Sequence, residues 1–126
     1  MGYVIGCLVA SLSFLLNRIL IRRVGIQTVI SYSPILEEVT KTTLAFYLGA
    51  DILAAHITFG FVEAGYDYYH NRYNGLKAAL FSIAGHSLFG AMTIFILAIS
   101  SSFLLALAAG IISHLIWNVT VVRIYS

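Results

Sequence analysis

Pro34-Ile35-Leu36-Glu37-Glu38-Val39-Thr40-Lys41 places two carboxylates and an ammonium inside a stretch that otherwise reads as a membrane helix. A charge near the centre of a bilayer costs about 2.5–3.5 kcal/mol on insertion scales, so ionisable residues at that depth usually mark function. Three such groups within five residues, Glu37 to Lys41, need partners, and the rest of the chain is the place to look for them.

The composition sets the class. The 126 residues are 60% hydrophobic and 10% charged, with a mean hydropathy of +0.95. Soluble domains carry about 25% charged residues, so the chain is predicted to be an integral membrane protein. One proline, ten glycines and the absence of regular ten-residue alternation favour helices over a barrel. The single cysteine, Cys7, excludes an internal disulfide and any CxxC metal motif. No basic run points to nucleic acid. The N-terminus has no positive n-region and reads as a retained helix, not a signal peptide.

A bilayer core takes about 20 apolar residues as helix. Five segments qualify, at roughly 3–20, 28–49, 52–69, 76–99 and 103–122. The expected fold is all-α: one polytopic transmembrane helical domain over residues 1–126. Gly2, Gly6 and Ala10 form a small-xxx-small stripe suited to close helix contact. His70-Asn71-Arg72-Tyr73-Asn74-Gly75 and Ser100-Ser101-Ser102 read as turns. Pro34 cannot donate to the carbonyl of Ile30, so the second helix either kinks there or begins there, with Ser33 as cap. In the second case Gln27–Ser33 is a short re-entrant or interfacial piece.

Orientation follows from the basic residues. Arg18, Arg22 and Arg23 lie between the first two segments, Arg72 and Lys77 between the third and fourth, and Arg123 after the fifth. With five spans all these places share one side, which the positive-inside rule assigns to the cytosol. The prediction is N-terminus out and C-terminus in. Tyr66, Tyr68, Tyr69 and Tyr73 would then belong to an aromatic belt at the cytosolic interface.

This topology permits a depth calculation. Glu37, Glu38, Glu63, His86 and His114 each lie about eight to ten residues from a cytosolic helix end. At 1.5 Å per residue, all fall roughly 12–15 Å below that surface. Four helices thus bring ionisable groups to one plane, and one buried polar site is the simplest account. Bland roles stand beside this reading. Lys41 is spaced i,i+4 from Glu37 and i,i+3 from Glu38, so it reads as a charge-balancing partner, with Glu37 the better spaced. Asn118 follows His114 by one turn and could serve as an interhelical hydrogen-bonder. His56 reads as structural or pore-lining, Asp67 as solvated, and Thr40, Thr42 and Thr43 as bonding back to their own helix.

Peptide hydrolysis needs an activated water and a stabilised oxyanion. A desolvated glutamate can act as general base, and His and Asn donors can hold the oxyanion. No HExxH is present, which argues against the helical zinc-protease motif. No Gly-x-Ser-Gly appears, and Tyr66-Asp67 has no Gly-x-Gly-Asp companion.

At these residues the chain resembles the PrsW family of intramembrane proteases, related to the CAAX-processing and Abi membrane proteases. The resemblance rests on Glu37-Glu38-x-x-Lys41, Phe59-x-x-x-Glu63, His86 and His114-x-x-x-Asn118, in that order on successive helices. It covers roughly Pro34 to Asn118. CAAX enzymes proper have Arg one residue after the Lys41 position and His where Glu63 stands, which places this chain nearer PrsW. The resemblance implies a glutamate-activated water with Glu37 as base. Helical spacing, by giving Lys41 to Glu37, leaves Glu38 free for the same role, so both stand as candidates. Glu63 would position the water, His114 and Asn118 would stabilise the oxyanion, and His86 could lie in either shell. A glutamate and two histidines could also bind Zn²⁺; Glu38, Glu63, His86 and His114 are the candidate ligands, and metal dependence stays open here.

The expected function is therefore an intramembrane endopeptidase, dependent on glutamate or metal, acting on membrane-anchored peptides or proteins from a cavity open to the cytosolic side. Membrane lipids and the substrate are the expected partners, nucleic acid is not, and an oligomeric or membrane-complex partner is left open. Two rivals remain: a non-catalytic PrsW-like subunit of a membrane complex, and a small proton or cation transporter. Above the plane only Lys41 and His56 continue the polar path, which disfavours transport.

Overall fold

A computed structural model describes residues 1–25 and 28–125. Among the described residues the chain forms α1 (Gly2–Val24), a π-helical turn (Thr28–Tyr32), α2 (Ser33–Tyr47), α3 (Ile52–His70), α4 (Gly75–Ser100) and α5 (Phe103–Tyr125), with no strand. Each predicted segment falls on one helix, except that the second is divided between Tyr32 and Ser33, just ahead of Pro34.

The division has a covalent cause. Pro34 has no N–H and cannot close a normal helical turn, and the chain ahead of it runs in wider π-helical hydrogen bonding. Neither predicted arrangement describes it fully. Tyr32, not Ser33, occupies the cap position and has helical backbone angles (φ −78°, ψ −42°). Ser33 turns inward and donates to Glu37 Oε1 at 2.5 Å. The glutamates lie beyond the first turn of α2. Gln27, the start of the predicted re-entrant piece, lies outside the described residues.

The turns are short. Gly49 adopts φ 64°, a left-handed conformation that lets the chain reverse directly after α2. Asp51 then caps α3 by accepting from the Ala54 N–H at 2.9 Å. Between α4 and α5, Ser101 takes a left-handed φ of 53°.

Three helices, α1, α4 and α5, are long and apolar enough to cross a membrane. The α-helical part of α2 has 15 residues, and α3 carries His56, Glu63, Asp67 and His70 within 19 residues, so neither meets the same measure of length and hydropathy. The bundle turns apolar side chains outward. Leu8, Phe95, Ile99, Leu104 and Ile116 are all more than half exposed, while Glu38, Lys41, His56, His86 and His114 are buried. This is the reverse of a water-soluble bundle and is compatible with a lipid surrounding.

α3 is the central helix, packed against α1 on one side and α4 on the other. Gly2 and Gly6 of the predicted small-residue stripe are the contact with α3. A Cβ on Gly6 would sit 2.6 Å from the Ala55 carbonyl oxygen and 2.8 Å from the Thr58 Cβ. Ala10 is fully buried, and Ile5, Val9, Ala10, Ala55 and Phe59 belong to one apolar cluster between these helices. Gly6→Leu is expected to lower stability by about 1–3 kcal/mol through overpacking. Thermal unfolding in detergent measures this; an unchanged midpoint would show that α1 does not pack here. α3 and α4 approach through reciprocal glycines. Gly60 faces the Cβ of His86, and Gly90 faces the ring of His56. Each glycine makes room for a histidine from the other helix.

Candidate functional site

The site begins with the buried pair on α2. Lys41 Nζ donates to Glu38 Oε1 at 2.9 Å, and both side chains are 0% exposed. The ammonium also lies 4.5 Å from the centre of the Phe59 ring, a favourable cation–π contact. Helical spacing had favoured Glu37 as the partner of Lys41. The structure pairs Lys41 with Glu38, whose Oε1 also meets the Nδ1 of His114, while the ammonium reaches His86 Nδ1. Glu37 turns towards Ser33 instead.

Two histidines complete the network, and their partners determine their tautomers. Lys41 Nζ lies 3.3 Å from His86 Nδ1. A protonated amine only donates, so His86 Nδ1 accepts and its proton sits on Nε2. That N–H donates to Glu63 Oε2 at 2.7 Å. His114 is arranged the other way. Its Nδ1 lies 3.1 Å from Glu38 Oε1; an ionised carboxylate only accepts, so His114 carries its proton on Nδ1. The remaining nitrogen, Nε2, presents a lone pair 3.9 Å from Glu37 Oε2. One histidine thus offers N–H towards Glu63 and the other a lone pair beside Glu37.

His56 enters from the opposite side. Its Nε2 lies 3.2 Å from Thr42 Oγ1 and 3.6 Å from Glu38 Oε2. Among the described residues, Glu38 Oε2 and His56 Nδ1 are buried atoms without a hydrogen bond. Gly110 makes the space for that carboxylate oxygen, since a Cβ there would lie 3.1 Å from it.

A cavity of about 460 Å³ opens between α3, α4 and α5. Glu63, His86, His114 and Asn118 line its inner part, and Asp67, Asn71 and Asn74 line it towards the α3–α4 turn. Glu63 is the accessible carboxylate, with its side chain 29% exposed against 5% for Glu37 and 0% for Glu38. Glu37 and Glu38 do not line this cavity; Glu37 reaches it only past His114.

The six predicted site residues therefore divide. Glu63, His86, His114 and Asn118 share the cavity wall, Glu37 stands directly behind His114, and Glu38 is enclosed with Lys41. Thr40 bonds back to its own helix at the Leu36 carbonyl, as expected, whereas Thr42 reaches across to His56. Asp67 is not freely solvated: Ser82 donates to its Oδ2 at 2.6 Å. Sequence reasoning missed His56, Thr42, Ser33 and Ser82 as members of this network. Helical spacing carries a signal for three of them. His56 precedes Glu63 by two turns on one face, Ser33 precedes Glu37 by one turn, and Ser82 precedes His86 by one turn.

Among the described residues, two sets of side chains approach metal-ligand geometry, with donor atoms within 4.8 Å of one another: Glu38, His56 and His86, and Glu37, His86 and His114. Lys41 Nζ already touches Glu38 and His86 in the first set. A divalent cation there would face the ammonium at close range, so that set does not fit a metal while Lys41 is charged. The second set contains the His114 Nε2 lone pair beside Glu37 and fits better, provided His86 releases Glu63. Glu38 and Glu63, both candidate ligands from the sequence, are absent from the second set.

Comparison of the chain with protein-family models, with curated proteins and with solved structures finds no match.

Proposed function

We propose that the chain is an intramembrane protease of the PrsW kind, with five spans, N-terminus out, that hydrolyses peptide bonds through a glutamate-activated water. The observation that carries the reading is the cavity floor. There Glu63, His86, His114 and Asn118 meet a 460 Å³ groove, with Glu37 3.9 Å behind His114 Nε2. An accessible groove ending on a carboxylate, a histidine N–H, a histidine lone pair and an amide contains the parts that acyl hydrolysis requires.

In this reading Glu37 is the base and Glu38 is not. Glu38 is held by Lys41 and His114 and has no route to the groove. Water sits between Glu37, His114 Nε2 and Glu63. Glu37 takes one proton as the water oxygen bonds to the peptide carbonyl carbon. The oxygen that becomes negative is met by the Asn118 amide; the His86 N–H is held by Glu63, and His114, the second donor the resemblance implies, presents a lone pair at Nε2. The proton held by Glu37 then passes, directly or through His114 Nε2, to the leaving amide nitrogen as the C–N bond breaks. If a metal is bound by Glu37, His86 and His114, it would supply Lewis-acid polarisation of water at the same place.

Purified protein in proteoliposomes tests the proposal. It is expected to cleave some members of a library of membrane-anchored peptides, and His114→Ala is expected to abolish that cleavage. Cleavage that persists unchanged in His114→Ala would overturn the assignment. A folded, pure protein that cleaves no member would favour the non-catalytic subunit, a reading the complete burial of Glu38 and Lys41 also suits.

A further inference from the structure

The groove has two unlike walls. On one side Phe81 and Trp117 meet edge to face, with ring centres 6.0 Å apart at 66°. Gly85 beneath them is required for the indole, because a Cβ there would fall 2.8 Å from Trp117 Nε1. Val121 extends this apolar wall. The other side carries Glu63 and, one helical turn nearer the mouth, Asp67. Asp67 is half-buried, and Ser82 donates to one of its oxygens. Among the described residues no lysine or arginine pairs with it, and none lines the groove. Arg72, Lys77 and Arg123 are exposed near the same end of the bundle but lie outside the lining.

The dimensions suit an extended chain. On α4 the lining runs from Ala78 to Phe89, which at 1.5 Å per residue is about 16 Å. An extended peptide rises about 3.3 Å per residue, so roughly five residues fit between the mouth and the floor. Asn71, Asn74 and Asn118 provide amide donors and acceptors at intervals along this path. They match backbone groups without selecting a side chain. Selection falls to the two walls. The aromatic wall rewards an apolar side chain, and an acidic wall without a cation of its own attracts a positive charge and repels a negative one.

We infer that this groove binds an extended peptide segment carrying a lysine or arginine that pairs with Asp67, with an apolar residue against Trp117. Peptide as the ligand class rests on the protease reading; the charge preference rests on the walls alone. Asp67 is thus a specificity-determining residue one turn away from the cavity floor.

Trp117 is the only tryptophan in the chain, so its emission reports occupancy without any cleavage. The probes are two blocked eight-residue peptides, identical except for Lys or Glu at one position, titrated into the intact protein in detergent. The Lys peptide is expected to shift Trp117 emission and to bind about tenfold more tightly than the Glu peptide. Asp67→Asn, which keeps size and hydrogen bonding, is expected to reduce that ratio to about threefold or less. Asp67→Lys is expected to invert it. Equal affinities for the two peptides, or a ratio unchanged in Asp67→Asn, would overturn the inference, as would emission that neither peptide alters. Charge-selective binding without cleavage of any peptide would sink the protease reading and leave the groove assignment standing. Cleavage indifferent to the Lys or Glu would do the opposite.

Discussion

Lys41→Met is expected to destabilise the bundle by about 3–5 kcal/mol, the largest stability effect of any single replacement in the site. Glu38 and Lys41 are both fully enclosed, and among the described residues the ammonium is the one lysine or arginine cation touching Glu38. Removing it leaves a fully buried carboxylate beside Thr93 and Gly110 with the His114 N–H as its remaining donor and no opposite charge. It also removes the donor that holds His86 Nδ1. Glu38→Gln leaves the converse defect, an unpaired ammonium. Replacing both residues by apolar groups of similar size is expected to recover much of the loss, because the desolvation cost then vanishes with the charges. Thermal or denaturant unfolding of the two single variants and the double variant measures all three terms. A Lys41→Met protein within about 1 kcal/mol of wild type, the upper end for exposed pairs, would mean that the pair is not buried in solution.

The second large effect falls on activity and separates the two glutamates. If Glu37 is the base, Glu37→Gln is expected to lower kcat by about 10²–10⁴-fold, the usual contribution of general-base catalysis. Stability should change little, since glutamine can still accept the Ser33 hydroxyl. Glu38→Gln is expected to behave differently, losing stability first and activity only as a consequence. The measurement is cleavage rate at matched folded fraction, judged by the unfolding curves of the same preparations. A Glu37→Gln enzyme that retains its rate within about tenfold, while folded Glu38→Gln is inactive, would transfer the role of base to Glu38.

Much of the helical layout was legible in the chain. Length and hydropathy marked all five helical segments, and the short polar turns bounded them. The stripe of Gly2, Gly6 and Ala10 foretold close helix contact, because small residues at i,i+4 leave room for a neighbouring backbone. The depth calculation selected Glu37, Glu38, Glu63, His86 and His114 from the sequence, and these residues do meet in one connected network. Less legible were the histidine sockets at Gly60 and Gly90. A glycine inside a helix carries no sign of the side chain it will face. His56, two turns from Glu63 and off the common plane, reads as structural or pore-lining from the sequence, yet its imidazole comes within 3.6 Å of Glu38.

The pairings lay beyond one-dimensional reading for a definite reason. Lys41 can reach either glutamate within its own helix, since i,i+3 and i,i+4 both lie within its span. Local geometry mildly favours Glu37, and the choice is reversed by groups more than forty residues distant: His86 on α4 and His114 on α5. They supply the acceptor for the ammonium and the second donor for Glu38. Those partners also dictate which nitrogen of each histidine carries its proton. The residue types and their helical spacing, present in the sequence of Pro34 to Lys41 and its counterparts, ensure that charges are buried together. Packing of α4 and α5 against α2 selects which carboxylate takes the ammonium and which is left behind His114, because burial forces each ionisable atom to find its complement among whatever groups the neighbouring helices bring.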